Sequence, residues 1–92
     1  MSEVDGDRVP SWPRGVRTRF DEARDRWMIL GPERILVPEG PGADIARLVD
    51  GERSVSEIVD ALEAEYDADE ETIADETTAF LQDLADQGYL EL

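Results

Sequence analysis

The pattern of apolar and polar residues divides the chain into a β-prone first part and a helical second part. Residues 16–20 alternate, with Val16, Thr18 and Phe20 on one face and Arg17 and Arg19 on the other. This period-2 alternation is typical of a half-buried strand. Two more short β-prone runs follow, at residues 27–30 and 34–37. The sequence therefore predicts a meander of three short antiparallel strands.

The third predicted strand, residues 34–37, follows a tight Gly-Pro-Glu turn at 31–33 and stops at Pro38, which cannot donate to a ladder. The second strand is apolar on both faces, so we expect it to be central and covered. A meander also leaves an edge of unpaired N–H and C=O groups, at which a further strand can pair.

Three helices are predicted after the break at residues 38–42. The first runs from about Pro41 to Asp50. The second opens with the capping box Ser54–Glu57, and the third has Asp69 as its N-cap and ends at Gly88. The second helix carries one apolar stripe, formed by Val55, Ile58, Val59, Leu62 and Tyr66.

The third helix presents two uncharged faces, which we expect to have different roles. A narrow face is predicted to lie in the core and consists of Ile73, Thr77, Phe80 and Leu84. An uncharged shoulder beside it consists of Ala74, Thr78, Leu81 and Ala85. The opposite flank holds Glu76, Asp83 and Gln87. After Gly88, a short alternation is expected to bring Leu90 and Leu92 under the core.

Strands followed by helices define an α+β fold, here a three-stranded antiparallel sheet and a three-helix unit that resembles a winged helix-turn-helix. We expect residues 1–13, a polar segment with two prolines, to be a flexible N-terminal tail. Residues 14–92 are expected to form a single domain, since their number suits one modest core.

The charge distribution argues against nucleic acid as a partner. The net charge is −15, and all nine basic residues are arginines at or before Arg53. Residues 54–92 hold thirteen acidic residues and no basic one. Phosphate binding needs cations, so we expect no nucleic-acid partner. The helix order nevertheless keeps a small acidic DNA-associated regulator as an alternative.

The residue types required for catalysis are missing. The chain has no His to activate a serine and no Cys for thiol or disulfide chemistry, and we expect a cytoplasmic location. Asp67, Asp69 and Glu71 alternate like calcium ligands, but Thr72 and Thr78 stand where that loop needs Gly and Glu. We therefore predict no enzyme activity, no metal and no cofactor. No apolar run approaches the roughly 20 residues of a membrane span, so no membrane partner is expected.

Peptide capture remains, because it needs only a strand edge and an adjacent uncharged groove. The pattern alone leaves open that the third strand is a short covered edge. The predicted peptide-binding residues combine this strand with the shoulder of the third helix: Arg34, Ile35, Leu36, Val37, Ala74, Thr78, Leu81 and Ala85.

Several motifs make the chain similar to the PqqD family of pyrroloquinoline quinone (PQQ) biosynthesis, from about residue 13 to residue 90. They are Arg17-x-Arg19-Phe20-Asp21-x-Ala23-Arg24, Leu30-x-Pro32-Glu33-Arg34, Leu48-x-Asp50-Gly51 and Ser54-Val55-x-Glu57-Ile58-Val59. The chain departs from the family at Glu39-Gly40-Pro41-Gly42, where a polar helix start is expected.

The resemblance implies a non-catalytic peptide chaperone, a recognition element of the kind that serves ribosomally made, modified peptides. It implies that the precursor peptide PqqA is bound as a strand added to the third strand, against the third helix. It also implies presentation of PqqA to the radical S-adenosylmethionine enzyme PqqE. A module of the same fold that recognises another leader peptide is the alternative.

Overall fold

Three antiparallel strands precede three helices in a computed structural model that describes residues 6–92. The strands are β1 (Arg17–Asp21), β2 (Arg26–Leu30) and β3 (Ile35–Leu36), in the spatial order β1-β2-β3. The predicted α+β fold and antiparallel meander are confirmed. The third strand is shorter than predicted, because only its two central residues pair with β2.

The strand register separates the sheet into a core face and an open face. Thr18 lies opposite Ile29, and Ile29 lies opposite Leu36, so these three side chains share one face. Ile29 is completely buried and belongs to the core. The opposite face includes Ile35, whose exposed fraction is 65%. The expected central position of β2 is confirmed, but its side chains on the open face, Met28 and Leu30, are only half-buried.

The helices are α1 (Pro41–Leu48), α2 (Val55–Glu65) and α3 (Glu70–Asp86). Both predicted N-caps of α2 and α3 are present. Ser54 and Glu57 form the reciprocal capping box of α2, and the Asp69 carboxylate accepts a hydrogen bond from the backbone N–H of Thr72. The predicted end at Gly88 is also observed, with a positive φ of 84° at that glycine.

The first helix ends two residues earlier than predicted, at Leu48. Val49 is already extended, with φ −77° and ψ 109°, and its carbonyl oxygen accepts a hydrogen bond from the indole N–H of Trp12 at 3.1 Å. Gly51 then adopts a positive φ of 78° in the turn before α2.

One core joins the inner face of β2 to the facing sides of the helices and to the C-terminal residues. Its completely or almost completely buried large side chains are Ile29, Ile45, Ile58, Leu81 and Leu84. The predicted core face of α3 is correct at three positions but wrong at Phe80, which is half-buried. Leu81 occupies the core instead, because the buried side of α3 is rotated toward the predicted shoulder.

Residues 6–13 lie along the domain, although the sequence predicted a flexible tail over residues 1–13. Ser11 pairs with Glu91 through two backbone hydrogen bonds of 3.0 and 2.9 Å. The backbone N–H of Val55 donates to the carbonyl oxygen of Arg8 at 2.8 Å, and Pro10 is fully buried. The remainder of the predicted tail lies outside the described residues.

Ionic contacts join α1 to α2 on the surface. The guanidinium of Arg47 donates to both carboxylate oxygens of Glu65, at 2.9 and 2.8 Å, and also pairs with Asp44. The hydrogen bond that Arg47 donates to Glu65 raises the pKa of Arg47. The Tyr66 hydroxyl donates to Asp44, which raises the pKa of that phenol. These contacts stabilise the position of α1, which follows directly from β3.

Candidate peptide-binding site

The edge of β3 that faces away from β2 is open. The backbone N–H of Gly31 donates to the carbonyl oxygen of Arg34 at 2.9 Å, which makes these two residues a hydrogen-bonded pair in the β2–β3 register. Because bonding alternates along an antiparallel strand, the backbone of Leu36 also faces β2, and that of Ile35 faces outward. The N–H and C=O of Ile35 are therefore directed away from β2, and no turn or loop hydrogen bond of residues 6–92 involves them.

The start of β3 is attached to the C-terminal end of α3 through Arg34. Its guanidinium donates to the carbonyl oxygen of Gln87 at 3.3 Å and lies over the buried ring of Tyr89, 5.0 Å from the ring centroid. A cation over an aromatic face is attracted by the ring quadrupole. This contact places the C-terminal end of α3 beside the start of β3.

A second contact places the Phe80 flank of α3 against α1. The ring of Phe80 lies against the backbone of Gly42, in the first turn of α1 and six residues beyond the end of β3. A β-carbon at Gly42 would lie 2.8 Å from Phe80 Cε1, so the close approach requires glycine. The glycine at residue 42 therefore leaves room for the Phe80 ring.

The predicted shoulder of α3 faces another part of the molecule. Ala74 and Thr78 line a hollow of about 250 Å³ with Val55 and Val59 of α2 and with Gly6. Because the shoulder is turned toward α2 and the N-terminal segment, Ala74 and Thr78 do not lie beside β3.

The other predicted helix residues also differ from the expectation. Leu81 has no exposed surface, so it packs in the core and cannot line a groove. Ala85 is half-buried against the same core. Of the predicted strand residues, Ile35 is exposed, Leu36 is half-buried with its side chain packed on the core, and Val37 follows directly after β3.

The flank of α3 that contacts Gly42 carries one aromatic side chain between acidic residues. Phe80 is half-buried, while Glu76 and Asp83 are exposed and lie at i−4 and i+3 from it. The Asp83 carboxylate also accepts a hydrogen bond from the Gln87 side chain at 2.9 Å. We define the β3–α3 groove as the space between the free edge of β3 and this flank. Phe80 was predicted to lie in the core and not in a groove, because its helical position borders both the core face and the acidic flank.

The acidic clusters have structural explanations or lie in solvent. The Asp69 carboxylate caps α3, and the hydrogen bond from the backbone N–H of Thr72 lowers the pKa of Asp69. Asp60, Glu63 and Glu70 place carboxylate oxygens within 4.8 Å of one another, but all three are exposed. Exposed acidic groups of this kind are common without an ion. None of the described helices has the length and apolar character that crossing a membrane requires.

Comparison with solved structures identifies the class of protein that this fold and open edge define. One match is the solution NMR structure of the PqqD part of Methylobacterium extorquens PqqCD, described as a stand-alone recognition element for ribosomally synthesized and post-translationally modified peptides. It matches with a TM-score of 0.80 and 40% identity, over 96% of this chain and 94% of that one. TbiB1 in complex with the TbiA(beta) leader peptide matches with a TM-score of 0.77 and 26% identity, over 88% and 94% of the two chains. The fold is that of a peptide recognition element.

The family follows from the sequence comparisons. The model of the family described as "Coenzyme PQQ synthesis protein D (PqqD)" matches residues 26–90. The "PqqA binding protein" of Rhodopseudomonas palustris (strain BisB5) is 51% identical over 81 residues, which cover 88% of this chain and 79% of the relative. The chain belongs to the PqqD family. The predicted resemblance is confirmed, and so is the non-catalytic role, since this relative is named as a PqqA binding protein and the matching PqqD structure as a recognition element.

Proposed function

We propose that this protein binds the precursor peptide PqqA and presents it to the radical S-adenosylmethionine enzyme PqqE in pyrroloquinoline quinone biosynthesis. The free edge of β3, with the outward-facing backbone of Ile35 at its centre, is the observation that carries the proposal. The names of the relatives support PqqA as the peptide. A cytoplasmic location is part of the proposal and agrees with a chain that contains no cysteine.

The peptide pairs with β3 as a fourth strand, in the manner of β-strand addition. Arg34, Ile35, Leu36 and Val37 form the strand side of the site, as the sequence predicted. For the helix side we propose the Phe80 flank of α3, since Arg34 holds the end of α3 beside β3 and Gly42 contacts Phe80. Ala74, Thr78 and Ala85 lie on the other side of the buried face of α3 and serve as the alternative to be tested.

The binding mode is tested by removing one outward-facing N–H. Proline is tolerated on an edge strand where its missing N–H faces solvent, so Ile35→Pro should leave the β2–β3 hydrogen bonds in place. We expect PqqA affinity to fall roughly three- to tenfold, the equivalent of one net hydrogen bond. Ile35→Ala removes the same side chain but keeps the N–H, and is the matched control.

Isothermal titration gives the affinities, and amide chemical shifts of each variant without peptide report whether it is folded. Leu36→Pro is a second comparison, because it removes the N–H that faces β2 and should reduce stability as well as binding. Equal PqqA affinity for folded Ile35→Pro and Ile35→Ala would place the peptide elsewhere. Amide shifts confined to Ala74 and Thr78 during the titration would favour the alternative flank.

A leader peptide of another modification pathway is the second candidate ligand, because TbiB1 shares the fold and is solved with such a peptide. Titration of the wild-type protein with PqqA and with an unrelated leader peptide separates the two. We expect PqqA to bind at least about tenfold more tightly. The reverse preference would assign the protein to another peptide.

A further inference from the structure

The open face of the sheet is uncovered and carries both cationic and apolar side chains. Because opposed residues in an antiparallel sheet share a face, Arg17, Leu30 and Ile35 form one row across all three strands. Arg19 and Met28 form the next row. We define the open face by its six cationic and apolar members, Arg17, Arg19, Arg26, Met28, Leu30 and Ile35.

Exposure and charge distinguish this face from the rest of the surface. Arg17 and Arg19 are exposed, and neither forms an ion pair with any residue between 6 and 92. Asp21 lies on the same face and pairs with Arg26 at 3.8 Å. Three arginines and one aspartate give the face a charge of +2, on a protein whose net charge is −15.

Apolar surface accompanies these cations. Ile35 is 65% exposed, and Met28 and Leu30 are half-buried beside the two free arginines. Arg17 and Leu30 also line an open hollow of about 430 Å³, together with Gly15, Val16 and Gly31. Apolar side chains bordered by arginines are typical of surfaces that bind proteins, whereas a nucleic acid would need more cations and would be repelled by the acidic helices.

The open face borders the proposed peptide site at β3. A strand added to β3 would extend the sheet, and alternate side chains of that strand would stand on the open face beside Ile35. A protein that docks on this face would therefore contact the recognition module and the bound peptide at the same time. This continuity fits a partner that acts on the peptide better than it fits an unrelated one.

We propose that the open face is the docking surface for an acidic, partly apolar surface of the enzyme that modifies the bound peptide. The inference rests on the proposed function. An acidic partner surface is attracted by the open face and repelled by residues 54–92, which carry thirteen acidic residues and no basic one. Such asymmetry orients the encounter and raises the association rate.

The double variant Arg17→Gln/Arg19→Gln tests this surface, with PqqE as the probe. Ala64→Glu/Ala79→Glu is the matched control, because it lowers the net charge by the same two units at exposed helix positions. We expect the arginine variant to bind PqqE at least about tenfold more weakly and with a smaller dependence on salt. PqqA affinity should change less than about twofold in both variants, and the control should keep most of its PqqE affinity.

PqqE binding is measured with and without PqqA. The two measurements distinguish a wrong docking surface from a wrong proposed function. Loss of PqqE binding by the arginine variant supports the surface in either state. If the wild-type protein binds no PqqA, the proposed function is wrong, and the surface is judged on PqqE binding by the peptide-free protein.

Four results would overturn the proposal. They are no PqqE binding by the wild type, equal PqqE binding by the wild type and the arginine variant, an equal loss in the charge-matched control, and a parallel loss of PqqA affinity. Sedimentation of the protein alone adds a fifth, because a wild-type dimer that the arginine variant abolishes would assign the face to a second copy of this chain.

Discussion

The ring of Phe80 packs so closely on the backbone of Gly42 that a β-carbon at residue 42 would lie 2.8 Å from Phe80 Cε1. This contact joins the first turn of α1 to the flank of α3 that borders the β3–α3 groove. Two opposite effects therefore act at residue 42. Alanine is favoured over glycine within a helix by about 1 kcal/mol, but an added methyl group in a filled space costs roughly 1–3 kcal/mol.

We predict that Gly42→Ala lowers the free energy of unfolding, because the clash with Phe80 outweighs the gain in helix propensity. In the Phe80→Ala background the same substitution should be neutral or stabilising, since the ring is gone. Urea unfolding of the four proteins in this double-mutant cycle measures the coupling. An equal effect of Gly42→Ala in both backgrounds would mean that the Phe80 ring moves aside at no cost.

The hydrogen bond from Trp12 to Val49 gives a prediction for the N-terminal segment. Trp12→Phe keeps an aromatic ring but removes the indole N–H, which donates to the Val49 carbonyl oxygen at 3.1 Å. We expect the free energy of unfolding to fall by roughly 0.5–1.5 kcal/mol. Trp27→Phe is the control, since no described residue accepts a hydrogen bond from the Trp27 indole, and it should cost less.

Thermal or urea unfolding followed by circular dichroism makes this comparison independent of the tryptophan signal. The remaining tryptophan in each variant also reports separately on its own end of the molecule. If the two variants lose equal stability, the contact between residues 6–13 and the end of α1 contributes nothing to the folded state.

Local patterns predicted the element boundaries well wherever one residue type determines them. The capping box at Ser54 and Glu57 satisfies backbone N–H groups within the same turn, so its effect needs no knowledge of the rest of the fold. The same holds for Asp69 at the start of α3 and for Gly88 after its end. The α+β order followed from the separation of period-2 and helical patterns.

The candidate site was harder to predict because it depends on how α3 is rotated against the sheet. An apolar stripe identifies a buried side only to within about one helical position, since successive residues differ by roughly 100°. For this reason Phe80 was predicted to lie in the core and Leu81 outside it, whereas the structure buries Leu81 and leaves Phe80 half-buried. The stripe also left open how α3 lies relative to β3, which depends on long-range contacts such as that of Arg34 with Gln87.

The docked segment at residues 6–13 could not be predicted for a similar reason. Its polar composition is typical of a mobile tail, yet the bonds of Arg8 with Val55 and of Ser11 with Glu91 are made by the backbone, whose pairing with distant residues leaves no trace in residue type. Pro10 and Trp12 were the two available signals, and each is equally compatible with an exposed position.

The cap of α3 predicts a dependence of stability on pH. The backbone N–H of Thr72 and then its hydroxyl donate to the Asp69 carboxylate, which lowers the pKa of Asp69 below its ordinary value of 3.8. A lowered folded-state pKa means that the charged cap stabilises the protein above pH 3.8, and that this stabilisation is lost as the pH falls through the lower folded value.

Asp69→Asn keeps a capping oxygen but does not titrate. We expect the wild type to have a higher unfolding free energy than this variant. The difference should be largest at about pH 5–7 and should shrink toward about pH 2.5. Asp75→Asn, at an exposed position within α3, removes the same charge and corrects for general repulsion. Urea unfolding across this range measures both differences, and a constant gap for Asp69→Asn would contradict the role of its charge.

The final prediction concerns the neighbours Phe80 and Leu81, whose roles are separable by experiment. Leu81 has no exposed surface, so Leu81→Ala should lower the free energy of unfolding by roughly 2–5 kcal/mol through loss of burial and a new cavity. In samples that remain folded, the variant should bind PqqA nearly as tightly as the wild type, because Leu81 does not reach the groove.

Phe80→Leu should show the opposite pattern. Leucine keeps much of the apolar contact with the core, so we expect a smaller loss of stability than for Leu81→Ala. If the aromatic face supports the peptide strand, PqqA affinity should fall at least about fivefold. Thr78→Ala, on the other side of the buried face, serves as the control and should leave PqqA affinity unchanged. Calorimetric titration at a temperature where all three variants are folded measures the affinities. Tight binding by Phe80→Leu together with weak binding by Thr78→Ala would return the helix side of the site to the shoulder predicted from sequence.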